Sequence, residues 1–145
     1  MAVYGKGKLP FHEKQQPKPE DPYGISKYAV EMDLEQAYEQ FGLRYSIVRP
    51  HNVIGIRQNI WDKYRNVIGI WIRRILKGEN ILIFGDGKQK RAFSDIKFCL
   101  EPMEKLLTQN DGQIFNLGSD KEYTLNEVAE ILKEVATEYN FNPVI

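Results

Sequence analysis

Tyr23 and Lys27 are the residues of this chain whose types and spacing speak most directly of chemistry. They stand four apart in Tyr23-Gly24-Ile25-Ser26-Lys27, and on a helix that spacing puts both side chains on one face. A phenol with an ordinary pKa near ~10 is a poor base at neutral pH. An ammonium group beside it stabilises the phenolate and lowers that pKa. Such a pair can take a proton from a hydroxyl group or return one to it. The same spacing also arises as a partly buried tyrosine beside a solvated lysine, and spacing alone does not choose between the two.

The pair needs a helix to carry it, and residues 23–41 supply one. Ile25, Ala29, Met32 and Gln36 trace one stripe, with Val30, Leu34, Ala37 and Phe41 beside it, so the reading is a helix buried on more than one side. Gly42 stands where a left-handed cap belongs. LRYSIVRP (43–50) is β-rich and stops at Pro50, and helix, glycine, strand is half of a crossover unit. Upstream, prolines at 10, 17, 19 and 22 exclude a long helix or central strand, leaving a surface loop or a flexible linker over 5–22. AVYG (2–5) reads as the end of a strand.

Downstream, residues 63–77 read as a second helix ended by Gly78. ILIF (81–84) reads as a short buried strand before the turn GDG (85–87), and RAFSDI (91–96) as a strand or extended segment. Residues 98–107 are helical, with Pro102 expected in the first turn or at a kink. QIFNLGS (113–119) is a strand. Thr124-Leu-Asn-Glu127 is a capping box that opens a helix to about Tyr139, and NPVI (142–145) looks like the start of a strand. Alternating helices and strands argue for an α/β fold, and both ends read as cuts through a larger one.

Composition narrows the function classes. Of the 145 residues, 20 are Lys or Arg and 20 are Asp or Glu, so the formal net charge is zero and no global field draws nucleic acid or an anionic membrane. A single cysteine, Cys99, excludes an internal disulfide and a CxxC metal pair, which fits a cytoplasmic location. No apolar run approaches the ~18 residues of a membrane span.

PYGISK (22–27), a helix, a strand ending in VRPHNVIG (48–55) and then IFGDGKQKRAFSDI (83–96) together resemble the extended short-chain dehydrogenase/reductases, the NAD-dependent epimerase/dehydratase family. UDP-glucose 4-epimerases are the members most similar in RPHN, in the loop RQNIWDKYRNVIG (57–69) and in IFGDG. The resemblance implies the C-terminal part of a Rossmann-type fold. Residues 1–55 would be the remnant of the NAD-binding domain, with the Tyr-Lys helix and the following strand. Residues 56–145 would be mainly the sugar-nucleotide region, with 88–110 returning to the Rossmann part.

The resemblance also assigns roles. Tyr23 would be the catalytic acid/base, and Lys27 would hold the nicotinamide ribose of NAD. Pro50 and His51 would border the nicotinamide; alone, His51 reads as a structural histidine. Asn52 would contact the phosphates of a UDP-sugar or related nucleotide sugar, against the alternative of a turn residue bonding its own backbone. Asn66 and Val67 would open the helix that caps the diphosphate, where free N–H groups and the helix dipole favour anions. Leu82 and Phe84 would line the base or simply pack in the core. Arg91 would grip the diphosphate through planar, bidentate hydrogen bonds, unless KQKR (88–91) is only a solvated basic run. No metal site is implied.

The chain also departs from the family. Asp95 stands where an aromatic residue is usual, and Lys97 where an acid is usual. The family's catalytic Ser/Thr would lie just upstream of Met1. Its glycine-rich phosphate loop has no counterpart, since neither GKGK (5–8) nor GDGK (85–88) precedes a helix in the required way. Three readings stay open: a 4-epimerase with a 4,6-dehydratase as the alternative; a non-catalytic remnant or a module pairing with a separate N-terminal half; and a plain nucleotide-sugar- or protein-binding domain. Homodimerisation through the Tyr-Lys helix is expected of the full-length family, and here an apolar face on residues 25–41 is expected to be exposed.

Overall fold

The computed structural model describes residues 2–108 and 112–145. The chain divides into two compact units, each built from two segments: Met1–His51 with Lys97–Gly118, and Asn52–Ile96 with Ser119–Ile145.

In the first unit, a 3-10 turn (Ala2–Tyr4) precedes α1 (Pro22–Phe41), β1 (Ser46–Pro50), α3 (Ile96–Leu106) and β5 (Gln113–Leu117). The strand end expected at AVYG is therefore a 3-10 turn. β1 and β5 pair in parallel, with Ser46 opposite Gln113 and Pro50 opposite Leu117. Ile47 and Arg49 are the buried residues of β1, two apart, as pleating requires. Pro102 lies inside α3 rather than in its first turn.

α1 begins as its sequence dictates. Asp21 caps it, its carboxylate accepting from the Gly24 N–H at 2.6 Å, and Pro22 takes the first helical position, where no donor is needed. Gly42 ends it at φ 69°, its N–H donating to the Tyr38 carbonyl at 2.8 Å. The expected burial on more than one side is not found: Gly24 is the one buried residue of α1. Val30 is 55% and Phe41 81% exposed. The stripes are apolar, but of their residues only Leu34 and Ala37 are partly covered. The loop before α1 is tied down along its length. Lys18 N–H donates to the Val3 carbonyl at 2.8 Å, and the Asn116 N–H donates to the Glu13 carboxylate at 2.8 Å.

The second unit holds β2 (Val53–Ile54), α2 (Val67–Leu76), β3 (Lys90–Ala92), β4 (Ser94–Asp95), β6 (Glu122–Thr124) and α4 (Leu125–Glu138). β2 pairs with β4 in parallel and β3 with β6 antiparallel. Its core gathers Trp71, Ile75, Ile81, Leu125, Val128 and Ala129. The capping box forms as expected: Thr124 Oγ1 accepts from the Glu127 N–H at 3.1 Å, and the Glu127 carboxylate accepts from the Thr124 N–H at 2.7 Å.

Three expectations fail in this unit. α2 starts at Val67, not at residue 63. ILIF (81–84) and NPVI (142–145) join no sheet ladder among the described residues. The Ile81 N–H instead donates to the Val144 carbonyl at 2.8 Å, and the Leu82 carbonyl accepts from the Trp71 indole at 2.9 Å. Backbone groups satisfied by a side chain and a terminal segment need no neighbouring strand.

Candidate functional site

The first unit brings Tyr23, Lys27 and Pro50 together. The two α1 residues point outward from its first two turns, with the Lys27 Nζ 5.4 Å from the Tyr23 ring centroid. Tyr23 is 59% exposed, so its hydroxyl is open to a ligand. Both line a cavity of about 450 Å³ whose walls also include Ala2, Glu31, the apolar α1 residues Val30 and Leu34, and the β1 residues Ser46–Pro50. His51 follows at the end of β1, half-buried, its N–H donating to the Leu117 carbonyl at 2.9 Å, and it is not among the lining residues.

Behind this face lies a buried polar network that the sequence did not announce. The Arg49 side chain, 4% exposed, meets Glu31, 11% exposed. Arg49 Nε donates to Glu31 Oε1 at 2.9 Å and Nη2 to Oε2 at 2.6 Å. Arg49 Nη1 also donates to the Tyr4 hydroxyl, which donates to Asn116 Oδ1 at 2.9 Å. Burial works against the Arg49 charge, and the Glu31 and Tyr4 contacts more than offset it, holding the guanidinium above its ordinary pKa. The signal in the sequence was a charged residue at an inward position of an otherwise apolar strand.

The second unit places the remaining candidates. Asn52, at φ 40°, donates from Nδ2 to the Ala92 carbonyl at 2.9 Å, and its own carbonyl accepts from the Ser94 N–H at 3.3 Å. Its amide nitrogen thus serves the fold. Asn66 is the N-cap of α2 at φ 61°, a left-handed position that non-glycine residues seldom take. Its side chain does not cap the helix; Nδ2 donates to the Val53 carbonyl at 3.3 Å, and Oδ1 is buried without a partner among the described residues. The first N–H groups of α2, from Val67 on, therefore lack a side-chain cap from Asn66.

These bonds tie Asn66 and the residue after Arg91 to one short stretch, Asn52–Val53. Arg91 sits on β3 opposite Tyr123, exposed and without an acid partner among the described residues. Leu82 is 48% exposed and packs only partly, while Phe84, at 83%, is not core at all.

What could bind here is constrained by chemistry. Around Tyr23, an ammonium and a phenol on one cavity wall offer hydrogen bonds to hydroxyl groups. No glycine-rich turn leads into α1, α2 or α4, so a pyrophosphate finds no such cradle among the described residues. No group of three or more His, Cys, Asp or Glu among the described residues could hold a metal ion. Among the described residues, no helix is long and apolar enough to cross a membrane.

Comparison with known proteins matches residues 1–118 to the model of the NAD dependent epimerase/dehydratase family. A Methanocaldococcus jannaschii protein, provisionally designated UDP-glucose 4-epimerase, is 36% identical over 91% of this chain and 43% of its own length. The UDP-N-acetyl-alpha-D-glucosaminuronate decarboxylase of Bacillus cytotoxicus is 34% identical over 92% of this chain and 43% of its own. Among solved structures, the UDP-glucose 4-epimerase of Thermotoga maritima with UDP-glucose superposes with a TM-score of 0.85 at 36% identity, over 99% of this chain and 46% of that one. The chain thus spans less than half the length of the relatives it matches.

Proposed function

The chain belongs to the NAD dependent epimerase/dehydratase family, and from that premise we propose that it carries the proton-transfer and sugar-nucleotide side of a UDP-sugar 4-epimerase. The observation that carries the reading is the Tyr23–Lys27 pair, set on one wall of a cavity that Pro50 also lines. The first unit is assigned the nicotinamide end of NAD and the second the nucleotide sugar.

When bound, NAD would supply the hydride acceptor, and then the hydride donor, for the sugar C4. The chain's own residues do the rest. Tyr23, as phenolate, takes the proton of the C4 hydroxyl while the C4–H bond breaks, which leaves a 4-keto sugar; it returns the proton when C4 is reduced on the other face. Lys27 holds the nicotinamide ribose and sets a positive charge beside the phenol. Pro50, with His51 just beyond the cavity lining, would border the nicotinamide. On the second unit, the uncapped N-terminus of α2 at Asn66–Val67 and the exposed Arg91 offer N–H donors and a guanidinium to the diphosphate. Asn52, one of whose two Nδ2 hydrogens is given to Ala92, orders this region and meets phosphate through the second. Leu82 and Phe84 flank the base.

The relative named as a decarboxylase favours a second reading, in which the same site oxidises C4 but the keto sugar goes on to lose another group. A remnant or half-enzyme that works only with a separate N-terminal polypeptide is compatible with both.

The test is calorimetric. UDP-glucose is expected to bind the chain, with affinity falling at least about tenfold, ~1.4 kcal/mol, in Arg91→Met. Equal binding by Arg91→Met sinks the substrate assignment. One-to-one NAD binding lost in Lys27→Met supports the cofactor end and calls for epimerase assays with UDP-sugars. A lack of NAD binding would move the cofactor's main contacts to residues outside 1–145.

A further inference from the structure

We infer that Glu31, acting through Arg49 and Tyr4, is the positioning residue of the Tyr23–Lys27 pair: it fixes the roll of α1 about its own axis, and with it the direction in which the phenol and the ammonium leave the helix. The inference rests on the proposed role of that pair.

α1 has 20 residues and buries only Gly24, so apolar packing does little to set its rotation. Two tethers remain. At Gly24 the helix lies against the Ala2 carbonyl, where an added Cβ would stand 2.7 Å from the oxygen. Seven residues on, two turns along the same stripe, Glu31 reaches Arg49. One tether lets a helix roll; two on one stripe do not. Lys27 falls between them, one turn from each.

The second tether also specifies angle. A guanidinium fork that donates to both oxygens of a carboxylate fixes orientation as well as distance. Its far end is immobilised. Arg49 sits on β1, its Cζ lies 4.7 Å over the Tyr4 ring, and Tyr4, fully buried, stacks on Phe11 at 4.8 Å and donates to Asn116 on β5. Glu31 and Arg49 also line the cavity shared by Tyr23 and Lys27, so no further element intervenes between network and pair.

The rival is a clamp that only holds the unit together, and a paired substitution separates the two. Glu31→Leu with Arg49→Met removes both charges at similar volume and leaves no stranded ion, so the fold is expected to survive with a melting midpoint near wild type. Residual dipolar couplings of the backbone amides then read the roll of α1 against the β1–β5 ladder, as the phase of their periodic variation along the helix. The expected result is a phase shift of at least about 20°, a fifth of the 100° step per residue. Arg49→Lys, which keeps the charge and loses the fork, is expected to shift the phase in the same experiment and decides the matter alone if the double variant does not fold. An unchanged phase in the folded variant overturns the inference. NADH added to the wild type is scored separately: silence at Tyr23 and Lys27 would remove the role of the pair and leave the measured roll standing.

Discussion

Gly24→Ala probes the closest approach in the first unit. Gly24 has ordinary helical backbone, so the glycine is required by space and not by dihedral angle. A Cβ there would stand 2.7 Å from the Ala2 oxygen, 3.2 Å from the Ala2 carbonyl carbon and 3.0 Å from the Pro19 Cβ. Two of those atoms are backbone, and the 3-10 turn that carries them cannot retreat cheaply. Val3 accepts from the Lys18 N–H, and Tyr4 is fully buried in the Arg49 network. Forcing a methyl group into packed surroundings costs about 1–3 kcal/mol. Against this, alanine gains up to about 1 kcal/mol over glycine in a helix, and less in a first turn. The net expectation is a loss of about 1–2 kcal/mol, or roughly 5–15 °C for a folding unit of this size class. Two units can melt separately, so the assay is residue-resolved amide exchange over residues 2–41 beside thermal melting. Exchange should quicken at the start of α1 and leave α4 unchanged. A variant as stable as wild type, or more so, would refute the claim that Gly24 is pinned and would weaken the first of the two α1 tethers.

Three other expectations follow from the same geometry. Trp71→Phe removes the indole N–H that serves the Leu82 carbonyl, so urea unfolding should show a loss of about 1–3 kcal/mol and exchange should rise over 81–84; no change would mean that water replaces the bond. The Asn116 N–H, first, and its own backbone N–H hold the Glu13 carboxyl below its ordinary 4.5. A depressed folded pKa contributes stability above pH 4.5 that is lost as pH falls through the folded value. Protection of the amides over residues 11–16, corrected for the slowing of intrinsic exchange in acid, should therefore fall on acidification below 4.5, and Glu13→Gln should flatten that dependence. Last, the apolar residues displayed by α1 should make the chain self-associate in sedimentation, with Val30→Glu and Phe41→Glu reducing it; a monodisperse wild-type monomer would contradict this.

The parts of this fold that local chemistry determines were legible in the sequence. The Gly42 cap of α1 and the Thr124–Glu127 box of α4 are contacts within four residues, and each is found where its residue types place it. What eluded reading depends on distant partners. β6 is three residues long and exists only because Lys90–Ala92 lies opposite it. ILIF has the composition of a strand, but the Trp71 indole and the Val144 carbonyl take its backbone groups first. The apolar stripes of α1 carry no information on whether anything covers them. The candidate site divides in the same way: Tyr23 and Lys27 follow from one helical turn, whereas the Glu31–Arg49 pair is set by how α1 lies on β1.

The parallel pairing of β1 with β5 has a consequence for the order of events on the ribosome. Ser46 waits for Gln113, and Tyr4 for Asn116, which follows it by 112 residues. At about 5–20 residues per second, β1 emerges at least several seconds before its only ladder partner among the described residues. In that interval the Glu31–Arg49 contact, only 18 residues apart, can already close. A nascent helix latched by an ion pair, with its strand still waiting for β5, is a substrate for chaperones and for premature pairing with a neighbouring chain. Synthesis slowed between the codons for residues 51 and 113 should therefore lower the soluble yield more than the same delay placed after residue 118.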